Sequence, residues 1–222
     1  MKKRRIFRNL NDKEFAWVLY DVGNSAYTML ACALIPIWFK AMAIGTKPGQ
    51  LTSDRATAYY SMAIAVITIV VALLGPVCGA ISDYKGMKKI FFTSTVAVGV
   101  CGCILNGFAC QWIVFLLLFA VTKIFYNMSL MFYDSMLNDI TTEERMDEVS
   151  SYGYAWGYLG SCIPFLIALV AYVLGPDMAD IISGKLSMAI GFVVTGLWWL
   201  LVTVPLIKNC LLYTSDAADE AR

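Results

Sequence analysis

Long apolar segments separated by short polar connections fill almost all of the 222-residue chain. A helix needs about 20 apolar residues to cross the hydrocarbon core of a bilayer, and six segments reach that length. We predict spans at residues 15–39, 56–81, 90–109, 112–137, 152–174 and 186–207. The predicted fold class is therefore all-α, a polytopic membrane bundle of six transmembrane helices.

The pattern divides the chain into three parts. Residues 1–14 form a basic amino-terminal segment, residues 15–208 form the six-helix membrane domain, and residues 209–222 turn abruptly polar. This last stretch resembles the adapter-derived ends of truncated reading frames, so we expect it to be a non-native tail and the natural protein to continue.

The composition excludes a soluble protein. Hydrophobic residues make up 59% of the chain and charged residues 15%, against about half and a quarter in soluble domains. No separate aqueous domain fits, so we expect no nucleic-acid partner. The chain contains no His, the commonest metal ligand, and we predict neither a metal nor a cofactor.

The basic residues indicate the orientation of the spans, because Lys and Arg concentrate in cytoplasmic loops. One set of connections carries most of them: Lys2, Lys3, Arg4, Arg5, Arg8, Lys13, Lys85, Lys88, Lys89, Arg145 and Lys208. The opposite set carries only Lys47, Arg55 and Lys185. We therefore expect an integral membrane protein with both termini in the cytoplasm, in a bacterial cytoplasmic membrane.

The first span carries a polar stripe on one helix face. Asp21, Asn24, Ser25 and Thr28 fall at i, i+3, i+4 and i+7. An ionised carboxylate in the hydrocarbon layer costs roughly 2.5–3.5 kcal/mol even on lenient scales, so it is retained where water, a counter-charge or a substrate meets it. We expect this face to border a polar path.

The fourth span repeats the spacing with Lys123, Tyr126, Asn127, Leu130 and Asp134. Lys123 lies near the middle of the predicted span. Two simpler interpretations stay open here: Lys123 snorkels or serves as a buried ion-pair partner, and Asp134 is a helix-end charge.

Small residues at fourfold spacing predict close helix packing. They occur in three spans, as Gly75 and Gly79, as Gly99, Cys103 and Gly107, and as Gly153 and Gly157.

The Tyr20-Asp21 and Tyr133-Asp134 pairs also resemble the Tyr-Asp element of intramembrane aspartyl proteases. The second element of those enzymes, Gly-x-Gly-Asp, is absent from this chain. Neither a Gly-x-Ser-x-Gly nucleophile elbow nor a phosphate-binding Gly-rich loop occurs. We therefore predict that the protein is not an enzyme.

The turn after the second span has a recognisable pattern. Residues 79–89 resemble the loop that major facilitator transporters carry between helices two and three, with matches at Gly79, Asp83, Gly86, Lys88 and Lys89. Tyr84 stands where a basic residue is usual. The carboxylate of Asp83 is expected to meet nearby lysines or a helix N-terminus and to latch a cytoplasmic gate.

Two further blocks narrow the resemblance. Residues 17–27 are similar to the opening signature of the vacuole-effluxer-like branch of the major facilitator superfamily, with Val22 and Gly23 where Trp and Ala are common. Residues 132–140 and 149–160 are similar to the fourth-to-fifth helix region of that family, with Asn138 where a Pro often stands.

This resemblance implies a secondary carrier of twelve helices in two six-helix halves, of which this chain supplies the amino-terminal half. Helices one and four line the cavity in that architecture. The candidate cavity residues are Asp21, Asn24, Ser25, Lys123, Tyr126, Asn127 and Asp134.

The implied function is transport of a small solute across the lipid bilayer by alternating access, against a missing carboxy-terminal half. The family's fungal members suggest amino acids as substrates. Asp21 and Lys123 are expected to bind the two charges of a zwitterion or to neutralise each other, and Asp21 is the candidate for proton coupling. The alternative is a non-transporting membrane scaffold or sensor, in which the stripes are internal ion pairs that fix helix packing.

Overall fold

A computed structural model describes residues 9–84, 86–174 and 184–219, with side chains up to residue 208. Six helices follow one another: α1 (Asp12–Ala43), α2 (Ser53–Ser82), α3 (Met87–Asn106), α4 (Trp112–Ile140), α5 (Met146–Leu174) and α6 (Gly184–Asp219). Each is long and apolar enough to cross a membrane. The predicted all-α bundle of six spans is confirmed. The basic residues 1–8 and Lys85 lie outside the described residues, as do the side chains of the predicted tail.

Helix α1 begins before the predicted apolar span because Asn11 caps it. The Asn11 side chain accepts hydrogen bonds from the backbone N–H groups of Lys13 and Glu14, at 2.9 and 2.8 Å. The Glu14 carboxylate accepts the backbone N–H of Asn11 at 2.8 Å, which completes a capping box. The helix therefore extends by almost one polar turn that hydropathy alone does not reveal.

Helices α5 and α3 also differ from their predicted bounds. Helix α5 starts at Met146, six residues before the predicted span, directly after a short 3₁₀ turn at Glu143–Arg145. Helix α3 ends at Asn106, three residues earlier than predicted, and Gly107 follows it. Backbone hydrogen bonds can continue through polar residues at a membrane edge. Apolar runs therefore predict the position of each membrane span better than they predict where its helix begins or ends.

Helix α1 lies at the centre of the bundle, in contact with α4, α5 and α6. Helix α3 packs on α4 and α6, while α2 packs mainly on α4 and leaves most of its surface exposed. Large aromatic side chains fill the core around α1, among them Tyr20, Tyr27, Phe39, Phe115 and Trp199. The central position of α1 brings its polar face against two neighbouring helices.

Close helix approach occurs at most of the predicted small residues. A Cβ added at Gly107 would lie 2.9 Å from the Phe192 Cβ and 3.1 Å from the Ala189 Cα. One added at Gly99 would lie 2.7 Å from the Trp199 ring. At Gly79, in contrast, no described atom lies within 4 Å of an added Cβ, so the expected approach is not observed there.

Candidate functional site

The polar faces of α1 and α4 lie side by side. Three hydrogen bonds join the two helices along their length: Tyr20 Oη with Ser129 Oγ at 2.8 Å, Thr28 Oγ1 with Tyr126 Oη at 2.5 Å, and Trp17 Nε1 donating to the Tyr133 carbonyl at 3.1 Å. Thr28 and Tyr126 belong to the two stripes predicted from helical spacing, so their hydrogen bond brings these stripes into contact.

The carboxylate of Asp21 lies where α1 meets α5. Its Oδ1 atom accepts a hydrogen bond from Asn24 Nδ2 at 3.1 Å. Its Oδ2 atom faces two glycines of α5, since an added Cβ would lie 3.3 Å from it at Gly153 and 3.1 Å at Gly157. Ser25 faces the same helix, with its Oγ 3.0 Å from the position of a Gly157 Cβ. Helix α5 thus approaches the Asp21 carboxylate without a side chain.

A second carboxylate, that of Asp134 on α4, accompanies Asp21. The two acids lie on the neighbouring helices α1 and α4. Asp134 is exposed on the surface of the described six-helix bundle, whereas Asp21 is half-buried. These two acids define one end of the polar path, which we call the acidic end.

Tyr133 borders the acidic end and was not among the predicted site residues. Its ring stacks on Trp17 with centroids 4.3 Å apart and contacts Tyr20 at 4.6 Å. The side chain is 3% exposed, and its hydroxyl has no hydrogen-bond partner among the described residues. The Tyr133-Asp134 pair in the sequence could have identified Tyr133 as a candidate site residue.

Lys123 defines the other end of the path. Its Nζ lies 4.6 Å from the ring centroid of Tyr126 and 5.8 Å from that of Tyr27. Trp199 of α6 packs edge-on against Tyr126, with centroids 5.7 Å apart. Cation–π contacts of this kind contribute about 0.5–2 kcal/mol, depending on desolvation. The ammonium group therefore lies against the aromatic faces of Tyr126 and Tyr27.

The two charged ends do not neutralise each other in this structure. The described residues include no ion pair between Asp21 and Lys123. Along α4, the 11 positions from Lys123 to Asp134 correspond to a rise of about 16 Å. Asp21 and Lys123 thus form no direct ion pair among the described residues, and Lys123 and Asp134 lie at different depths along α4.

Asn127 lies between the charged ends but binds its own helix. Its Nδ2 donates to the Lys123 carbonyl at 2.8 Å, and its side chain is half-buried. This hydrogen bond leaves the amide oxygen and the second N–H of Nδ2 for other contacts.

The turn that resembles the gate motif contains an ion pair that the sequence did not predict. Lys88 Nζ donates to Asp139 Oδ2 at 2.6 Å and to the Ser135 carbonyl at 3.1 Å, which ties α3 to the end of α4. Asp83 is exposed at the end of α2. Gly86 has a φ of 80°, which explains a glycine at the start of α3. Lys89 is half-buried, and Gly79 is exposed.

A buried glutamate near the start of α1 forms a second polar cluster that sequence reasoning missed. Glu14 is 1% exposed, and its carboxylate accepts from Thr141 Oγ1 at 2.7 Å and from an Arg145 guanidinium nitrogen at 3.0 Å. Arg145 also donates to the carbonyl of Asn9. These contacts fasten the start of α1 to the connection between α4 and α5.

Comparison with known proteins agrees with the membrane-transporter resemblance. The family model described as vacuole effluxer Atg22-like matches residues 11–211. The chain belongs to the vacuole effluxer Atg22-like family. The resemblance stated from the sequence is confirmed. No solved structure matches the chain significantly.

A curated relative of this family member is an uncharacterized MFS-type transporter, YxiO, of Bacillus subtilis (strain 168). It is 35% identical over 207 residues, which cover 92% of this chain and 48% of the relative. The chain thus spans about half the length of the curated relative it matches.

Proposed function

We propose that this chain is the amino-terminal half of a secondary active transporter of the major facilitator type, which moves a small solute across a membrane by alternating access. The family and the printed name of the Bacillus relative support the transporter class. The observation that carries the proposal is the polar path between α1 and α4, with carboxylates at one end and an ammonium group at the other. Opposite charges held apart inside a bundle of membrane-spanning helices suit a charged solute.

The proposed substrates are amino acids. Their ammonium group would bind at the acidic end, with Asn24 and Ser25 beside it, and their carboxylate would bind toward Lys123. In the missing half, six further helices would close the cavity, and rocking of the two halves would expose it to each side in turn. Asp21 is the proposed proton-coupling group, because its carboxylate is half-buried and has one neutral hydrogen-bond partner, Asn24.

The proposed location is the bacterial cytoplasmic membrane, with both termini in the cytoplasm. The scaffold alternative required the two stripes to form internal ion pairs. The separation of Asp21 from Lys123 favours the transporter, because a structural pair would place the charges in contact.

The test is transport by the full-length reading frame that contains this chain. The protein is reconstituted into proteoliposomes, and uptake of labelled amino acids is measured with and without a pH gradient. We expect Asp21→Asn to abolish the response to the gradient and Lys123→Met to lower uptake at least tenfold. Asp54→Asn is the matched control, because it removes an exposed charge at the start of α2, outside both the polar path and the gate-motif turn. Unchanged gradient-driven uptake in both cavity variants would end the proposal.

A further inference from the structure

Two hydrogen bonds fix the register between the polar faces of α1 and α4. Tyr20 Oη lies 2.8 Å from Ser129 Oγ, and Thr28 Oγ1 lies 2.5 Å from Tyr126 Oη. The residue number rises along α1 and falls along α4 from the first bond to the second, so the two helices run antiparallel. The height of a side chain along the polar path can therefore be read from its position relative to these bonds.

Asp21 and Lys123 lie beside different bonds of this register. Asp21 follows Tyr20 directly and so lies at the height of the first bond. Lys123 lies at the second bond, because its Nζ is 4.6 Å from the ring centroid of Tyr126, whose hydroxyl reaches Thr28. The positions from Asp21 to Thr28 correspond to a rise of about 10 Å along α1. The carboxylate and the ammonium group are therefore separated by about 10 Å along the polar path.

Contacts on each side hold this separation. The Asp21 Oδ1 atom accepts from Asn24 Nδ2 at 3.1 Å, and glycines of α5 pack against its Oδ2 atom. The Lys123 ammonium group lies against the ring of Tyr126, and it would lose this cation–π contact if it moved toward Asp21. A solute that binds both charges must therefore span the gap itself.

The separation sets the length of a zwitterion that can bridge the two charges. A charge-assisted hydrogen bond at each end takes about 2.8 Å, so about 5 Å remain between the nitrogen and the carboxylate oxygen of the solute. One amino acid residue spans at most about 3.6 Å, and two residues span about 7 Å. An α-amino acid carries both charged groups on one carbon atom, so it reaches one end of the path but not both.

We propose that the polar path selects zwitterions whose ammonium and carboxylate groups lie farther apart than in an α-amino acid, with the ammonium group on Asp21 and the carboxylate on Lys123. This inference rests on the proposed function and narrows its substrate class. Both ω-amino acids and short peptides have the required charge separation. Lys123 determines the specificity, because it binds the carboxylate only when that group lies far enough from the ammonium group.

The test measures the binding of two pairs of isomers to the full-length protein in detergent. The members of each pair have the same atoms and differ in charge separation: γ-aminobutyrate against L-α-aminobutyrate, and δ-aminovalerate against L-norvaline. Loss of a hydrogen bond between charged groups weakens binding about tenfold or more, so we expect each α isomer to bind at least about tenfold more weakly than its partner. Glycylglycine distinguishes the two sources: binding within about threefold of γ-aminobutyrate adds short peptides to the class, and weaker binding restricts it to ω-amino acids.

Two lysine variants show whether Lys123 causes this preference. Lys123→Met should raise the Kd of γ-aminobutyrate at least about tenfold and leave that of L-α-aminobutyrate within about twofold. Lys47→Met is the matched control, because it replaces an exposed lysine between α1 and α2, and it should change neither Kd. Equal affinity of the native protein for the two isomers overturns the proposal, as does absence of binding of both ω-amino acids. A preference that persists in Lys123→Met overturns it as well.

These outcomes are distinct from those of the transport assay. A Lys123-dependent preference for γ-aminobutyrate without uptake of any labelled amino acid would retain the selectivity and refute the proposed transport. Gradient-driven uptake that the α isomers inhibit as well as the ω isomers do would retain the transporter and refute the selectivity.

Discussion

The cluster around Glu14 predicts an asymmetry between its two charged partners. Glu14 is 1% exposed, whereas the Arg145 side chain is 39% exposed. Replacing Arg145 leaves a buried carboxylate without its counter-charge. Replacing Glu14 leaves a guanidinium that water reaches. Replacing Arg145 should therefore lower the free energy of unfolding more than replacing Glu14 does.

The structure gives the approximate size of each effect. Removing one partner of a buried ion pair typically costs 3–5 kcal/mol, and the partial exposure of Arg145 reduces this to about 2–3 kcal/mol for Arg145→Met. Glu14→Gln keeps the volume and an oxygen that accepts from Thr141, so its cost is about 1 kcal/mol. The double variant contains neither charge, so no unpaired charge is left in the fold. Its loss of unfolding free energy should therefore be smaller than the sum of the two single losses by about 1 kcal/mol or more.

Equilibrium unfolding of the full-length protein in mixed micelles measures these differences. The expected order of destabilisation is Arg145→Met first and Glu14→Gln second, with a non-additive double variant. Equal losses, a reversed order or simple additivity would show that Glu14 is not held as a buried charge by Arg145.

Three further predictions concern packing and turns, each measured as a change in unfolding free energy. Gly107→Ala should cost about 1–3 kcal/mol, because the new Cβ would lie 3.1 Å from a backbone carbon of α6. Gly79→Ala is the control and should be neutral, because the space around Gly79 is open. A neutral Gly107→Ala would contradict the close approach of α3 and α6. Gly86→Ala should cost about 1 kcal/mol, because φ at this position is 80°, and no loss would refute that backbone geometry. Asp139→Asn should cost less than about 1 kcal/mol, because its pair with Lys88 is partly exposed; a larger loss would mean that this pair is an essential latch.

The spans and their polar faces could be predicted because they depend on local spacing. Asp21 and Asn24 share a helix face at i and i+3 whatever the tertiary fold, and the hydrogen bond between them follows from that geometry. The stripe on α4 follows in the same way. That these faces adjoin was an implication of the family resemblance, since spacing alone does not determine which helices are neighbours.

The residues that sequence reasoning missed depend on contacts between distant segments. Glu14 has the signature of a capping box, but its burial and its pairing with Arg145 arise across 131 positions of the chain. Lys123 shares a face with Asp134, yet its position against Tyr27 depends on how α1 and α4 pack. The buried hydroxyls of Tyr27 and Tyr133 have no hydrogen-bond partner among the described residues, and this depends on tertiary packing that no sequence pattern reveals.

The central claim is that the polar faces of α1 and α4 border a hydrated cavity and not lipid. The most direct measurement is cysteine labelling of the full-length protein, after replacement of all its native cysteines, with a charged thiol reagent that reacts with the thiolate in water. We predict that Asn127→Cys reacts from at least one side of the membrane and that Val121→Cys, on an exposed apolar face of the same helix, does not. An Asn127→Cys variant as unreactive as Val121→Cys from both sides would contradict the account.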